Sequence, residues 1–325
     1  MAQTTVLVTG AAGFIGSHLS ERLLSEGYRV VGIDSFTDYY PRADKEANLT
    51  GLRGTSGWSL VEADLCTYDL GALIEREKIR AVFHNAGQAG VRASWGRHFE
   101  EYVSRNILAT QALLEACRAF PLERFVFASS SSVYGEAERF PTSEDDLPRP
   151  VSPYGVTKLA AEHLCLLYAA QYGLPVTALR YFTVYGPRQR PDMAFRIFIR
   201  ALLQDRPLQI LGDGEQTREF TYVDDIVQAN LLALRAPGNG GRVYNIGGGS
   251  RVTLNSVIGL LEEIVGRPVR VEYKPRAAGD HRHGGADISR ARRDLGYSPQ
   301  VALRDGLRRQ ADWQKQLDPG SAAAV

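Results

Sequence analysis

Tyr154 and Lys158, four positions apart, are the pair in this sequence best suited to moving a proton. At helical spacing they share a face. A phenol with a pKa of about 10 is a poor base at neutral pH, but a neighbouring ammonium favours the phenolate and lowers that value. Such a pair can take a proton from a hydroxyl and return it. Taken alone it is usually an ordinary helix surface, so what surrounds it decides. Near the N-terminus Val6-Leu7-Val8-Thr9 runs into Gly10-Ala-Ala-Gly13-Phe14-Ile15-Gly16 and then a helical pattern. Glycines there allow a tight turn and close approach of a pyrophosphate to a helix N-terminus. Asp34 ends the next strand-like run, 18 residues after Gly16. A carboxylate at that place accepts hydrogen bonds from ribose hydroxyls and repels a 2′-phosphate, so NAD is expected over NADP.

The elements that must hold these groups alternate. Apolar, β-branched runs predict strands at 5–9, 29–34, 59–63, 81–84, 124–128 and 176–181, with helices at 14–27, 70–78, 97–119 and 155–172. That alternation predicts an α/β chain with a Rossmann-type doubly wound parallel sheet. After Gly186 prolines and Gly212-Asp213-Gly214 break the rhythm. A helix at 224–235 and a strand at 242–246 are expected to return to the first unit, while 193–211 and 254–294 read as a small α/β cap. The expected division is a dinucleotide-binding domain over 1–186, joined by 219–247, and a smaller C-terminal substrate-binding domain over most of 187–325. Residues 319–325 read as a frayed tail.

Composition narrows the partners. Net charge is +1 with no basic stripe, which speaks against nucleic acid. No apolar run approaches the roughly 18 residues of a membrane span, and the N-terminus enters a strand pattern at once, so no signal peptide is expected. Three scattered cysteines (Cys66, Cys117 and Cys165) do not make a disulfide framework and point to a reducing cytoplasm. Asp280-His281-Arg282-His283 is read as a polar loop, and no metal is expected.

The Gly-x-x-Gly-x-x-Gly spacing resembles the extended short-chain dehydrogenase/reductases, specifically the NAD-dependent sugar-nucleotide epimerases and dehydratases. The likeness runs through Thr9–Leu19, Asp64-Leu65, Ser130-Ser-Ser-Val-Tyr-Gly135, Tyr154-x-x-x-Lys158, Arg180-Tyr-Phe182 and Arg218–Asp225. It implies that Asp64 and Leu65 flank an adenine, and that Ala86 and Gly87 line the cofactor after the fourth strand, with Tyr181 also at the cofactor. His84-Asn85-Ala86-Gly87 departs from the usual alanine at its last position, where glycine still permits close approach. Catalysis would fall to Ser130, Tyr154 and Lys158. The four-serine run leaves the choice of serine open by one position, and Asn106 matches an orienting asparagine that could equally be structural.

The resemblance also bears on the substrate. Where dehydratases carry Asp-Glu after the catalytic hydroxyl, this chain has Ser131 and Ser132, which disfavours elimination of water and suits a sugar carboxylate. Gln88-Ala89-Gly90-Val91-Arg92, Thr183 and Arg190-Pro-Asp-Met-Ala194 look like UDP-glucuronate 4-epimerases, in which Thr183 and Arg190 would hold the carboxylate. Arg218 is the implied diphosphate partner; Arg276 or Arg282 is a second, with Asp280 nearby. The alternatives are a UDP-glucose 4-epimerase, a UDP-glucuronate decarboxylase, and a catalytically silent binding protein. Pairing of helices 97–119 and 155–172 into a four-helix interface implies a homodimer.

Overall fold

Strand β1, Thr5–Thr9, is buried along its whole length, as a strand covered on both faces must be. The computed structural model describes residues 3–137, 139–238, 240–276, 279 and 282–317. Side chains alternate across β1. Val6 and Val8 enter one core with Phe14, Leu19 and Ile226, and Leu7 enters another with Leu73, Leu113 and Ala161. The remaining strands of the sheet are β2 (Arg29–Asp34), β3 (Trp58–Glu62), β4 (Ile79–His84), β5 (Arg124–Ser130), β6 (Val176–Tyr181) and Arg242–Ile246. Every pairing among these seven strands is parallel, in the order Arg242–Ile246, β6, β5, β4, β1, β2, β3. This is the doubly wound sheet expected from the alternation. β1 pairs with β2 on one side and β4 on the other. The chain therefore changes direction there, and a crevice opens beyond the carboxyl ends of these strands.

Local chemistry sets the helix ends. The helix Phe14–Ser25 starts at Gly13 with no side-chain cap, so its first-turn N–H groups remain available to a ligand. The helix Pro153–Tyr172 has Ser152 Oγ accepting from Gly155 N at 3.1 Å, proline at its first position and left-handed Gly173 at its end. That cap puts Tyr154 and Lys158 on its first two turns.

The helix expected at 97–119 is a composite. A 3-10 turn Gly96–His98 and an α turn Phe99–Tyr102 lead into a π segment, Val103–Leu108, before α-helix resumes at Ala109–Cys117. The wide turn carries Asn106, whose Nδ2 donates to Gln88 O and Thr157 Oγ1 while its Oδ1 accepts from Gln88 N. Those three bonds satisfy a buried amide, and no period-3.6 pattern announces them. The sequence pattern also passed over two helices, Arg42–Asn48 and Leu303–Leu317. In the C-terminal part the helices Ala194–Leu203 and Leu254–Val265 accompany parallel strands Leu208–Leu211 and Val271–Lys274. No helix among the described residues is long and apolar enough to cross a membrane.

Candidate active site

A cleft of about 410 Å³ runs along the carboxyl ends of β1, β2, β4, β5 and β6. At one end the backbone itself is the surface. Gly10 has φ +67, and a Cβ there would lie 2.9 Å from the Ala86 backbone; a Cβ on Gly16 would lie 2.2 Å from Gly10 O. The loop and the β4 turn are thus packed too closely for side chains. His84 fastens that turn. Buried between Thr9 Oγ1 at 2.8 Å and Thr110 Oγ1 at 2.9 Å, it is held neutral, its pKa pushed down to about 3 by burial. Thr110 Oγ1 donates to Asn106 O, so it accepts from His84 Nε2–H, and His84 Nδ1 accepts from Thr9. Thr9 Oγ1 in turn accepts from Ala86 N at 3.0 Å.

Asp34 sits at the end of β2, its Oδ2 accepting from Ala12 N at 3.1 Å and its Oδ1 from Phe36 N at 2.8 Å. Lys45 Nζ approaches Asp34 Oδ1 at 3.7 Å and donates to Thr37 O at 3.0 Å. Burial lowers the Lys45 pKa, with Asp34 opposing the shift. Gly13, Phe14, Ile15, Asp64, Leu65, Ala86 and Gly87 all line this end. A Cβ on Gly87 would fall 2.7 Å from Asn106 Oδ1, so the glycine that departs from the usual alanine makes room for the asparagine. Asn106 itself does not line the cleft.

Ser130, Tyr154 and Lys158 meet in the middle of the cleft. Burial raises the Tyr154 pKa, while a hydrogen bond from Ser130 and the charge of Arg190 lower it. Burial pushes Lys158 down to about 8, and its ammonium lies 4.7 Å from the centre of the Phe127 ring. Among the described residues Lys158 engages no hydrogen-bond acceptor, which leaves its donors for a bound molecule.

Beyond Tyr154 the lining becomes a set of hydroxyls and one guanidinium: Ser131, Ser132, Thr183, Tyr39 and Arg190, with Gly90, Tyr181 and Met193 alongside. Arg190 rides on a pinned loop. Gly186 N donates to Gln310 Oε1 at 2.9 Å, and Gln310 Nε2 donates to Gln189 Oε1 at 2.7 Å. The helix Leu303–Leu317 thus holds a loop more than a hundred residues earlier. Asp34 and Asp64, both at the other end, are the only carboxylates in the described lining.

Residues 6–247 match the NAD dependent epimerase/dehydratase family. The chain belongs to that family. A UDP-glucuronate 4-epimerase of Thermodesulfobacterium geofontis is 38% identical over 95% of this chain and 96% of its own length. A Bacillus subtilis protein named an uncharacterized UDP-glucose epimerase, YtcB, is 46% identical over 97% of this chain and 99% of its own. The crystal structure of UDP-glucuronic acid 4-epimerase from Bacillus cereus, in complex with UDP-glucuronic acid and NAD, superposes with a TM-score of 0.94 at 47% identity, covering 97% of this chain and 100% of that one. The groups of this epimerase/dehydratase cleft fit NAD on the chain's own geometry. The close-packed glycine loop leads into a helix whose start carries no side-chain cap, and the Asn85 amide, on a residue of the cleft wall, is buried without a partner among the described residues.

The cleft does not gather every residue named from the sequence. Arg92 is exposed on a 3-10 turn and does not line it. Arg218, Arg276 and Arg282 stand outside it around Glu136 and Asp213. Arg276 pairs with Glu136 at 3.2 Å, Arg282 pairs with Asp213 at 2.9 Å, and Arg218 donates to Arg282 O at 3.1 Å. Asp280 lies outside the described residues. Conversely, the sequence reading missed Tyr39, Tyr40, Lys45, Asn85 and Arg105, all of which line the cleft. The one available signal was the Tyr39-Tyr40 pair in the loop just after Asp34.

Proposed function

We propose that this chain is a UDP-glucuronate 4-epimerase that interconverts UDP-glucuronate and UDP-galacturonate. The observation that carries the reading is the sugar end of the cleft, where Ser131, Ser132, Thr183 and Arg190 stand beside Tyr154 and no carboxylate joins them. Neutral and cationic donors suit a substrate carboxylate; a second carboxylate would repel it. Relatives of that name, along nearly the whole chain, support the same substrate.

Residues 1–186 with 219–247 form the cofactor domain and 187–325 mainly the substrate domain. Gly10, Gly13 and Gly16 admit the diphosphate of NAD, Asp34 the adenosine ribose, and Asp64 and Leu65 the adenine; Ala86, Gly87 and Tyr181 line the nicotinamide half. NAD held there would supply the hydride acceptor, and then the donor, for C4 of the sugar. Tyr154 takes the proton from O4, helped by Ser130, and gives it back to the 4-keto sugar once the ring has turned over. Lys158 supplies positive charge that favours the Tyr154 phenolate. Arg218 with Arg276 or Arg282 would meet the UDP diphosphate outside the cleft, with Gly90 at the sugar's approach.

The working form is a homodimer. Leu108, Val156, Leu167 and Tyr172 are exposed by 53%, 47%, 51% and 56% on the helical surfaces around the π segment and Pro153–Tyr172. A monomer at micromolar concentration in light scattering would contradict it. A cytoplasmic setting accords with three free thiols, two of them buried. The function is tested by incubating the NAD-loaded protein with UDP-glucuronate and following the nucleotide sugars by NMR. UDP-galacturonate is the expected product; UDP-pentose alone, or unchanged substrate, would overturn the reading.

A further inference from the structure

Arg190 donates from Nε to Asp192 Oδ1 at 3.0 Å and from Nη2 to Asp192 Oδ2 at 3.1 Å. A carboxylate that takes the Nε side of a guanidinium leaves the Nη1/Nη2 end with its hydrogens directed elsewhere. Among the described residues Asp192 is the only acceptor Arg190 engages, and Arg190, not Asp192, lines the cleft.

Asp192 is itself seated from across the cleft. Tyr39, on the loop after β2, donates its hydroxyl to Asp192 Oδ2 at 3.0 Å, and the Arg190 guanidinium lies 5.8 Å from the Tyr39 ring centre. The phenol reaches over Gly90, where a Cβ would come within 2.3 Å of the Tyr39 hydroxyl. Burial works against the charge of Arg190 and of Asp192, and each holds the other ionised. With the backbone pinned through Gln189 and Gln310, the remaining freedom at Arg190 is that of its side chain, which costs entropy to hold. The Asp192–Tyr39 arrangement meets that cost before any sugar arrives.

We propose that Asp192, seated by Tyr39, is a positioning residue that turns the free end of Arg190 toward the sugar's C6 substituent and so sets the preference for an acid sugar over a neutral one. The proposal rests on the reading above that Arg190 meets the substrate carboxylate. Because Asp192 neutralises Arg190, the sugar is offered directed hydrogen bonds in place of a loose cation, and orientation matters more than net charge.

Calorimetric binding of UDP, UDP-glucose and UDP-glucuronate to the NAD-loaded protein tests it, in wild type and in Arg190→Ala, Asp192→Ala, Asp192→Asn and Tyr39→Phe. Arg190→Ala and Asp192→Ala should each weaken UDP-glucuronate about tenfold or more, with UDP and UDP-glucose changed less than about twofold. Asp192→Asn, which keeps one acceptor oxygen, should recover part of that loss, and Tyr39→Phe should show a smaller loss of the same kind. If Asp192→Ala and Asp192→Asn keep the wild-type acid-to-neutral ratio while Arg190→Ala loses it, the positioning role is wrong and the Arg190 reading stands. If Arg190→Ala also keeps the ratio, that reading falls and the proposal falls with it. Equal weakening of all three ligands in both Asp192 variants would mean a purely structural residue and would also overturn it.

Discussion

The two ends of the cleft are made of different materials. At the cofactor end close packing is built into the backbone: Gly10, Gly16 and Gly87 each sit where a Cβ would strike a neighbour, and one buried histidine fastens two strand ends together. At the sugar end the surface is side chains on loops, held by bonds that span long stretches of sequence, from Tyr39 to Asp192 and from Gly186 to Gln310. Backbone close approach tolerates almost no substitution, which suits a cofactor that stays the same across a family. Side chains on pinned loops can be exchanged without moving the sheet, which suits an end that selects among sugars.

Substitutions can break that comparison at its hinge or sharpen it at either end. Tyr154 belongs to neither end and serves both, so Tyr154→Phe should have the largest effect. Turnover of UDP-glucuronate should fall about 10²–10⁴-fold with bound NAD retained, measured as kcat and as the NAD content of the purified protein. Next comes the glycine loop. A methyl on Gly16 would overlap Gly10 O, and relieving such overpacking costs about 1–3 kcal/mol. Gly16→Ala should therefore weaken NAD about tenfold or more in a fluorescence titration, while UDP binding at the far end holds.

The smallest effect is one of stability. Burial lowers Lys158 from its ordinary 10.5 to about 8, so the unfolded chain holds this proton more tightly than the folded one. Stability gained from this group rises as pH climbs from 8 to 10.5, and below 8 the folded protein carries the cost of a buried charge. Lys158→Met should accordingly raise the melting temperature of the NAD-free protein at pH 7, by about 1.5 °C for each kcal/mol relieved. That gain should shrink as pH approaches 10, even though activity is lost. A melting temperature that falls at pH 7 would show that the ammonium is welcome where it lies.

The difference between the ends also governs what could be read from sequence. Period and turn chemistry are local, so the strands of the sheet, the glycine loop, Asp34 and the Tyr154–Lys158 pair were legible. Arg190 and Thr183 were legible only through likeness to a known family. Asp192 and Gln310 carried no signal of their own, and Tyr39 only that of an aromatic pair after Asp34, because their meaning lies in contacts between residues 121 to 153 positions apart. The π segment at Asn106 escaped for another reason: one extra residue in a turn leaves the surrounding helical pattern intact.

The most direct measurement is the ratio of kcat/KM for UDP-glucuronate to that for UDP-glucose in the wild-type, NAD-loaded protein. A guanidinium and three hydroxyls ready for a carboxylate should favour the acid sugar by at least about tenfold, the worth of one charged hydrogen bond. Equal values, or a preference for UDP-glucose, would contradict the assignment of Arg190, Thr183, Ser131 and Ser132 to the carboxylate.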